Sequence, residues 1–323
     1  MQYEETGKII RGVGGLFEVA LDAGETPLSG HLVSARAKGN FRHAGITPLP
    51  GDRVRLSFDE VAVTLEESAS TDGGGAVIAE ILPRKNALIR PPMANLDLLF
   101  VTLAAADPAP VPETVDKLIS IAEFNSIEPV LIVTKADVAP EAAEAFAAIY
   151  RRAGFEVFLL SSKTGEGIAP LKAYIENKMQ GRIAAFAGAS GVGKSTLLNA
   201  LFPTLSLQTG EISQKIARGK HTTRRVQLYP LDGVENAYVA DTPGFSMLDF
   251  VRFDFFKKED LPLTMREFAP YIGECRYTKC SHTKDEGCAI LQAVRDGVIP
   301  KTRHQSYCAM YDALKNKHDW SKK

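Results

Sequence analysis

No stretch of this sequence is apolar for long enough to cross a bilayer. The longest such run, LDLLFVTLAAA at 96–106, is about half the ~20 residues a membrane helix needs, and it suits a buried strand instead. Cysteine is scarce: four residues in 323 cannot make a disulfide framework, and clustered cysteines in such a chain more often bind metal. An excess of either charge is missing too. Lys+Arg number 38 and Asp+Glu 39, a net of -1, so any face that meets nucleic acid has to be local. The opening residues MQYEETGKII hold no apolar run of the signal-peptide kind. These absences predict a cytoplasmic protein with no membrane association. A content of 45% hydrophobic and 24% charged residues is an ordinary globular balance, and the length exceeds what one core usually spans.

Three segments are expected: 1–85, 86–250 and 251–323. In the first, GKIIRGVGGLFEVAL gives two strand-like runs around Gly14–Gly15, followed by HLVSARAKG, GDRVRLSF and AVIAEILPR between Gly, Pro and Asp turns. Five short strands in about eighty residues predict an OB-like β-barrel. In the second, continuous apolar strands (LDLLFVTLA, EPVLIVT, FEVFLL, RIAAFA) alternate with helical stretches such as PETVDKLISIAEF, whose Val115, Leu118, Ile119 and Ala122 share one face. That alternation predicts a multidomain α/β chain whose central sheet is mostly parallel and covered on both faces. From about 250 the chain turns irregular, and it becomes helical after Cys288.

The chemistry is concentrated in six places. GASGVGKST at 188–196 matches G-x-x-x-x-G-K-[ST] through Gly188, Gly193, Lys194 and Ser195, between a strand and a helix. Backbone N–H groups of Gly188, Ala189, Ser190, Gly191, Val192 and Gly193 are expected to curl around phosphate oxygens. Lys194 reaches the outer phosphates, Ser195 ligates Mg²⁺, and Thr196 continues the helix start. The base-reading candidate TKAD at 134–137 precedes this loop by roughly fifty residues. In the pattern [NT]-K-x-D, Asp137 accepts two hydrogen bonds from guanine, a donor pair that adenine lacks. Lys135 covers the base, Thr134 braces the loop, and Ala136 lies between. SSKTG ends the next strand, and Ser161, Ser162 and Lys163 resemble the loop that supports the guanine edge. DTPG at 241–244 matches D-x-x-G, with Asp241 supporting Mg²⁺ and the Gly244 N–H meeting the γ-phosphate. Between them lies GKHTTRR, where Thr222 or Thr223 is expected to close over Mg²⁺. Phe245 stands where many GTPases carry a water-orienting Gln, so unaided hydrolysis is expected to be slow, with His221 the candidate to position water. The order is base reader, base support, phosphate loop, first switch, second switch: a circularly permuted P-loop GTPase. The last cluster is C-x4-C-x-H-x5-C, made by Cys275, Cys280, His282 and Cys288, a donor set for one structural Zn²⁺ with no open position. Cys308 lies apart and reads as a buried small residue.

On TKAD, GASGVGKST, DTPGF and the Cys/His spacing, the chain resembles the ribosome small subunit-dependent GTPase A (RsgA/YjeQ) family over nearly its whole length. It departs from the family pattern in GKHTTRR, where a further Thr at position 224 and Arg before the His are expected, so the choice between Thr222 and Thr223 stays open. The resemblance implies GTP/GDP and Mg²⁺ as ligands, hydrolysis stimulated by the small ribosomal subunit, and a role in its late maturation beside other assembly factors. It also implies a monomer whose barrel and zinc module touch rRNA. Arg36, Lys38, Phe41, Arg42 and His43 form a candidate RNA-facing loop, and KNKHDWSKK a basic tail. Two other readings compete. One is a nucleotide-regulated RNA-binding module with incidental hydrolysis, which Phe245 permits. The other is an ATP-dependent small-molecule kinase, which Asp137 argues against.

Overall fold

The computed structural model describes residues 3–24, 29–39, 41, 45–58, 76–203, 226–241 and 256–316. The candidates Arg42, His43, His221, Thr222, Thr223, Gly244 and Phe245 and the tail from 317 onward lie outside the described residues.

Strands β1 (Tyr3–Val13), β2 (Leu16–Leu21), β3 (Leu32–Ala37), β4 (Arg53–Phe58) and β5 (Ala76–Ile81) close into a barrel in the order β1-β2-β3-β5-β4. The β1–β2 hairpin turns at Gly14 and Gly15, with φ of 61° and 88°; both need the left-handed region that glycine enters without strain. Along β2 and β4 every second residue is buried, the period of a strand with one face on a core. That core gathers Ile9, Phe17, Val19, Val33, Leu56, Phe58 and Ile78.

Phe41 belongs to the same core and is only 8% exposed. This corrects the expectation that it faces RNA. A ring that reaches the barrel interior gains about 2–3 kcal/mol by leaving water, and in that position it cannot stack on a base. Arg36 and Lys38 are exposed. A two-residue pair, β6 (Ala87–Leu88) with β7 (Met93–Ala94), follows the barrel.

The second sheet has six strands in the order β10-β9-β8-β11-β13-β12. They are β8 (Leu98–Ala104), β9 (Glu128–Thr134), β10 (Val157–Leu159), β11 (Ile183–Ala187), β12 (Gln227–Pro230) and β13 (Tyr238–Asp241). Pairs β8–β9, β9–β10 and β11–β13 are parallel, and the edge strand β12 is antiparallel to β13. All of β8 and β11 is buried, which is why their sequences are continuous apolar runs rather than alternating ones. Among the described residues, four helices connect the strands: α1 (Pro112–Phe124), α2 (Pro140–Arg152), α3 (Ile168–Lys178) and α4 (Lys194–Leu201).

The C-terminal stretch has 3-10 turns at Leu261–Thr264 and Arg266–Tyr271, then the Cys/His loop, α5 (Ala289–Arg295) and α6 (Lys301–Lys315). The α1 face of Val115, Leu118, Ile119 and Ala122 is buried as its spacing predicts, and Asp116 and Ser120 are buried with it. Asp116 meets Arg303 of α6, whose side chain is fully buried. The guanidinium also reaches Glu267 through Nε at 2.7 Å and Nη2 at 3.1 Å, and the Tyr150 hydroxyl of α2 donates to Asp116 at 2.9 Å. Burial pushes the Asp116 carboxyl up, and Arg303 pulls it the other way. A buried Arg303 between the carboxylates of Asp116 and Glu267 therefore ties α6 to α1 and, through Tyr150, to α2, an arrangement that holds only while the partners are present.

The chain divides into two compact units. One comprises Met1–Asp97, Met179–Ala185 and Ser213–Gly244; the other comprises Leu98–Lys178, Phe186–Ile212 and Phe245–Lys323.

Candidate nucleotide site and metal centre

The phosphate-loop candidate leaves the sheet at the end of β11. Gly188 has φ 151°, and a Cβ there would lie 2.0 Å from the Thr102 carbonyl oxygen of β8. No other residue fits that approach, because the obstacle is backbone and cannot move aside. Gly191 and Gly193 have φ of 80° and 91°, and Gly193 is the N-cap of α4. The loop therefore ends with the free N–H groups of a helix start, the ordinary backbone device for holding phosphate. Lys194 folds back so that its Nζ donates to the Gly188 and Ala189 carbonyls, each at 2.7 Å, and burial lowers its pKa. Ala189, Ser190, Gly191, Ser195 and Thr196 are exposed, while Val192 is buried.

The base-reading candidate ends β9 beside that loop. Thr134 Oγ1 lies 2.5 Å from the Val192 carbonyl and 3.1 Å from that of Leu103. Its single proton serves the nearer oxygen, so the hydroxyl joins TKAD to the phosphate loop. Lys135 adopts φ 54°, and its Nζ donates to the Asp107 carbonyl. The Ala136 N–H donates to the Leu160 carbonyl just past β10, at 3.1 Å. Asp137 is exposed and makes no hydrogen bond to a described residue. In the next loop Ser161 is buried, and its Oγ accepts from the Lys163 and Thr164 N–H groups at 3.3 and 3.2 Å. Ser162 is half-buried and Lys163 exposed. Three strand ends thus bring TKAD, SSKTG and GASGVGKST together, although the chain reaches the first of them well before the last. Asp241 ends β13, where its backbone pairs with Gln227.

The Cys/His cluster passes a geometric test for zinc. The ligand atoms of Cys275, Cys280, His282 and Cys288 all lie within 4.8 Å of one another. His282 Nδ1 is 3.5 Å from the sulfurs of Cys275 and Cys288, which are 3.8 Å apart. Tetrahedral Zn²⁺ with Zn–S of about 2.3 Å and Zn–N of about 2.05 Å requires S···S near ~3.8 Å and S···N near ~3.5 Å. Burial lowers the His282 pKa, favouring the neutral imidazole a metal needs. Burial also pushes the Cys280 thiol up to about 12 and the Cys288 thiol up, a cost that a cation among the sulfurs offsets.

Sequence reasoning missed the groups that hold this loop. His304 Nε2 donates to the His282 carbonyl at 2.8 Å, and the Tyr307 hydroxyl donates to the Ser281 carbonyl at 2.7 Å. Their i, i+3 spacing puts them on one face of α6, the one signal that pointed to a shared target. Cys308, expected to be buried, is half-buried beside His304.

Comparison with known proteins agrees with this geometry. The family described as RsgA GTPase matches residues 81–251, and the RsgA N-terminal domain matches residues 6–63. A protein of Caldanaerobacter subterraneus subsp. tengcongensis named small ribosomal subunit biogenesis GTPase RsgA is 39% identical over 312 residues, covering 96% of both chains. One of the same name from Bacillus pumilus is 39% identical, covering 96% of this chain and 98% of its own. The crystal structure of YjeQ from Thermotoga maritima superposes with a TM-score of 0.77 at 28% identity, covering 98% of this chain and 100% of that one. That of YloQ, described as a circularly permuted GTPase, gives 0.74 at 31%, covering 98% and 96%. Matched at such identity over nearly its whole length, this chain belongs to the RsgA family of circularly permuted GTPases.

Proposed function

We propose that this chain hydrolyses GTP to GDP and phosphate in the late maturation of the small ribosomal subunit, slowly alone and faster against that subunit. The contact of Thr134 with the Val192 carbonyl carries the reading. It joins a guanine-reading sequence to a phosphate loop, and adenine offers Asp137 no matching donor pair. The names of the relatives in Caldanaerobacter and Bacillus supply the ribosomal context.

In this reading the N–H groups of residues 188–193 cradle the phosphates, and Lys194 turns from the Gly188 and Ala189 carbonyls toward the outer phosphates. Asp137 reads the base, Lys135 covers it, and Ser161, Ser162 and Lys163 support its edge. Ser195, exposed at the first turn of α4, and Asp241 are the residue types with the oxygen donors that Mg²⁺ prefers. A Mg²⁺ held there would supply charge neutralisation at the phosphates. The Gly244 N–H meets the γ-phosphate, Thr222 or Thr223 closes the first switch, and His221 positions water. Cys275, Cys280, His282 and Cys288 hold one structural Zn²⁺. The modules are a barrel over 1–85, the GTPase over 86–250 and a zinc module over 251–323, in a cytoplasmic monomer that contacts rRNA alongside other assembly factors.

The deciding experiment is steady-state phosphate release from GTP, alone and with purified small or large ribosomal subunits. Stimulation by small subunits only is expected. Stimulation by neither, with GDP binding intact, would favour the nucleotide-regulated RNA-binding reading. Replacing His221 with Ala should abolish the stimulated rate; an unchanged rate removes it from the chemistry.

A further inference from the structure

A cavity of about 320 Å³ lies within the first compact unit, lined by residues of the barrel, of the link that follows it, and of β11 and β13. It falls at the small end of the ~300–1,000 Å³ usual for small-molecule sites. The charged groups on its wall, and Asn95, are matched among themselves and to the backbone with one exception. Arg53 forks onto Asp22 at 2.6 and 2.7 Å, and Thr6 donates to the same carboxylate at 2.5 Å. Lys85 pairs with Asp97 at 2.6 Å, and the other Asp97 oxygen accepts the Ile183 N–H at 2.9 Å. Asn95 donates to the Gly51 carbonyl at 2.9 Å and accepts from the Lys85 N–H at 2.8 Å.

Lys8 is the exception. It is only 8% exposed, yet no carboxylate of a described residue lies within salt-bridge distance. Its Nζ has a long contact of 3.4 Å with the Asn236 carbonyl and sits 4.3 Å from the centre of the Tyr238 ring. An ammonium buried in this way has donors to spare and no counter-ion.

We propose that this cavity binds a small organic monocarboxylate, whose carboxylate pairs with the Lys8 ammonium. Charge counting sets the valence. The wall carries Lys8, Arg53 and Lys85 against Asp22 and Asp97, one positive charge in excess, so a monoanion neutralises it and a dianion overshoots beside two carboxylates. Shape and polarity set the body. Leu21, Pro83, Ile183 and the Tyr238 ring supply apolar wall, which inorganic phosphate cannot use.

The charged and titratable groups facing Lys8 are Arg53, Lys85, Asp22, Asp97 and Tyr238. Burial first, then Arg53, lowers Lys8 to about 8, so the amine is still mostly protonated at neutral pH. A bound carboxylate favours the ammonium and raises that value. Affinity is therefore full well below pH 8 and falls as the amine deprotonates, about thirtyfold between pH 7 and pH 9.5.

The test is NMR of the full chain carrying ¹³C-labelled lysine, with the Lys8 Cε signal assigned by its loss in Lys8→Met. Benzoate and acetate are the probes, with inorganic phosphate as comparison. Benzoate is expected to shift the Lys8 signal with saturation near ~1 mM, to raise its titration midpoint, and to bind more tightly than acetate. Phosphate should do neither. No shift with either carboxylate up to about 50 mM overturns the site. Phosphate saturating before benzoate, or benzoate moving the Lys85 signal equally in Lys8→Met, overturns the pairing with Lys8. Because the readout is binding, the result does not depend on whether the chain turns over GTP.

Discussion

The nucleotide loops and the Cys/His cluster belong to the same compact unit and are assembled in opposite ways. The first draws on the ends of β9, β10 and β11, with residues as far apart as Thr134 and Lys194. The second takes all four ligands from 275–288. The strand ends are held by sheet hydrogen bonds, and β11 is fully buried and β9 nearly so, so the loops take their support from the sheet rather than from a ligand. The cysteine loop has no strand beneath it. Its sulfurs crowd together where burial favours the protonated thiols of Cys280 and Cys288, and a cation offsets that cost. One site is built by the fold; the other helps to build it.

The sharpest way to break this contrast is to remove the metal. Structural zinc in small modules is worth ~10–16 kcal/mol, so chelation or Cys280→Ser should leave the 275–288 region open to protease. GDP affinity should change by less than about threefold, because Thr134, Ser161 and Gly188 take their support from the sheet. If GDP binding collapses with the metal, the two sites form one cooperative body and the contrast fails.

Arg303→Met comes next. It takes the cation from Asp116, which keeps only neutral donors such as the Tyr150 hydroxyl, and from Glu267, a loss of about 3–5 kcal/mol measured by denaturant unfolding. Asp116→Leu combined with Arg303→Met should recover more than half of that. A double variant no better than the single one would show that packing, rather than charge, joins α6 to α1.

Asp137→Asn should weaken GDP binding by ~5- to 150-fold, from about 1–3 kcal/mol of mispaired hydrogen bonding. The melting temperature of the free chain should not move, since Asp137 is exposed and bonds to no described residue. Unchanged GDP affinity in calorimetry would remove it from base recognition.

The smallest effect is expected from Thr134→Val. It deletes the bond to the Val192 carbonyl and should cost about 1 kcal/mol, a roughly fivefold loss in GDP affinity. A fall in stability with affinity intact would make Thr134 a packing residue of the sheet rather than a brace of the site.

Much of this was legible in advance where the physics is local. The glycines of GASGVGKST occupy backbone positions that other residues cannot. The Cys/His spacing is a ligand geometry written along one loop, and the apolar period of α1 named its buried face. Phe41 was misread because a ring among basic residues looks like an RNA contact until the barrel is closed around it. Asp116 was overlooked because its partner Arg303 is 187 residues away. Nothing in the residues near Lys8 announces a buried amine, since Arg53, Asn95, Asn236 and Tyr238 come from distant segments.

By itself, then, the sequence determined the family, the Gly-rich turn at 188–193, the Cys/His spacing, the chain order of the GTPase motifs, and the strands of the barrel and most of those of the central sheet. Each of these depends on backbone freedom, ligand spacing or hydrophobic period within a few residues. Only the tertiary structure decided which side chains face the barrel interior, where two buried charges cancel, and where a lysine is left without a counter-ion. Burial and charge pairing are properties of a neighbourhood, and in this protein those neighbourhoods are drawn from opposite ends of the chain.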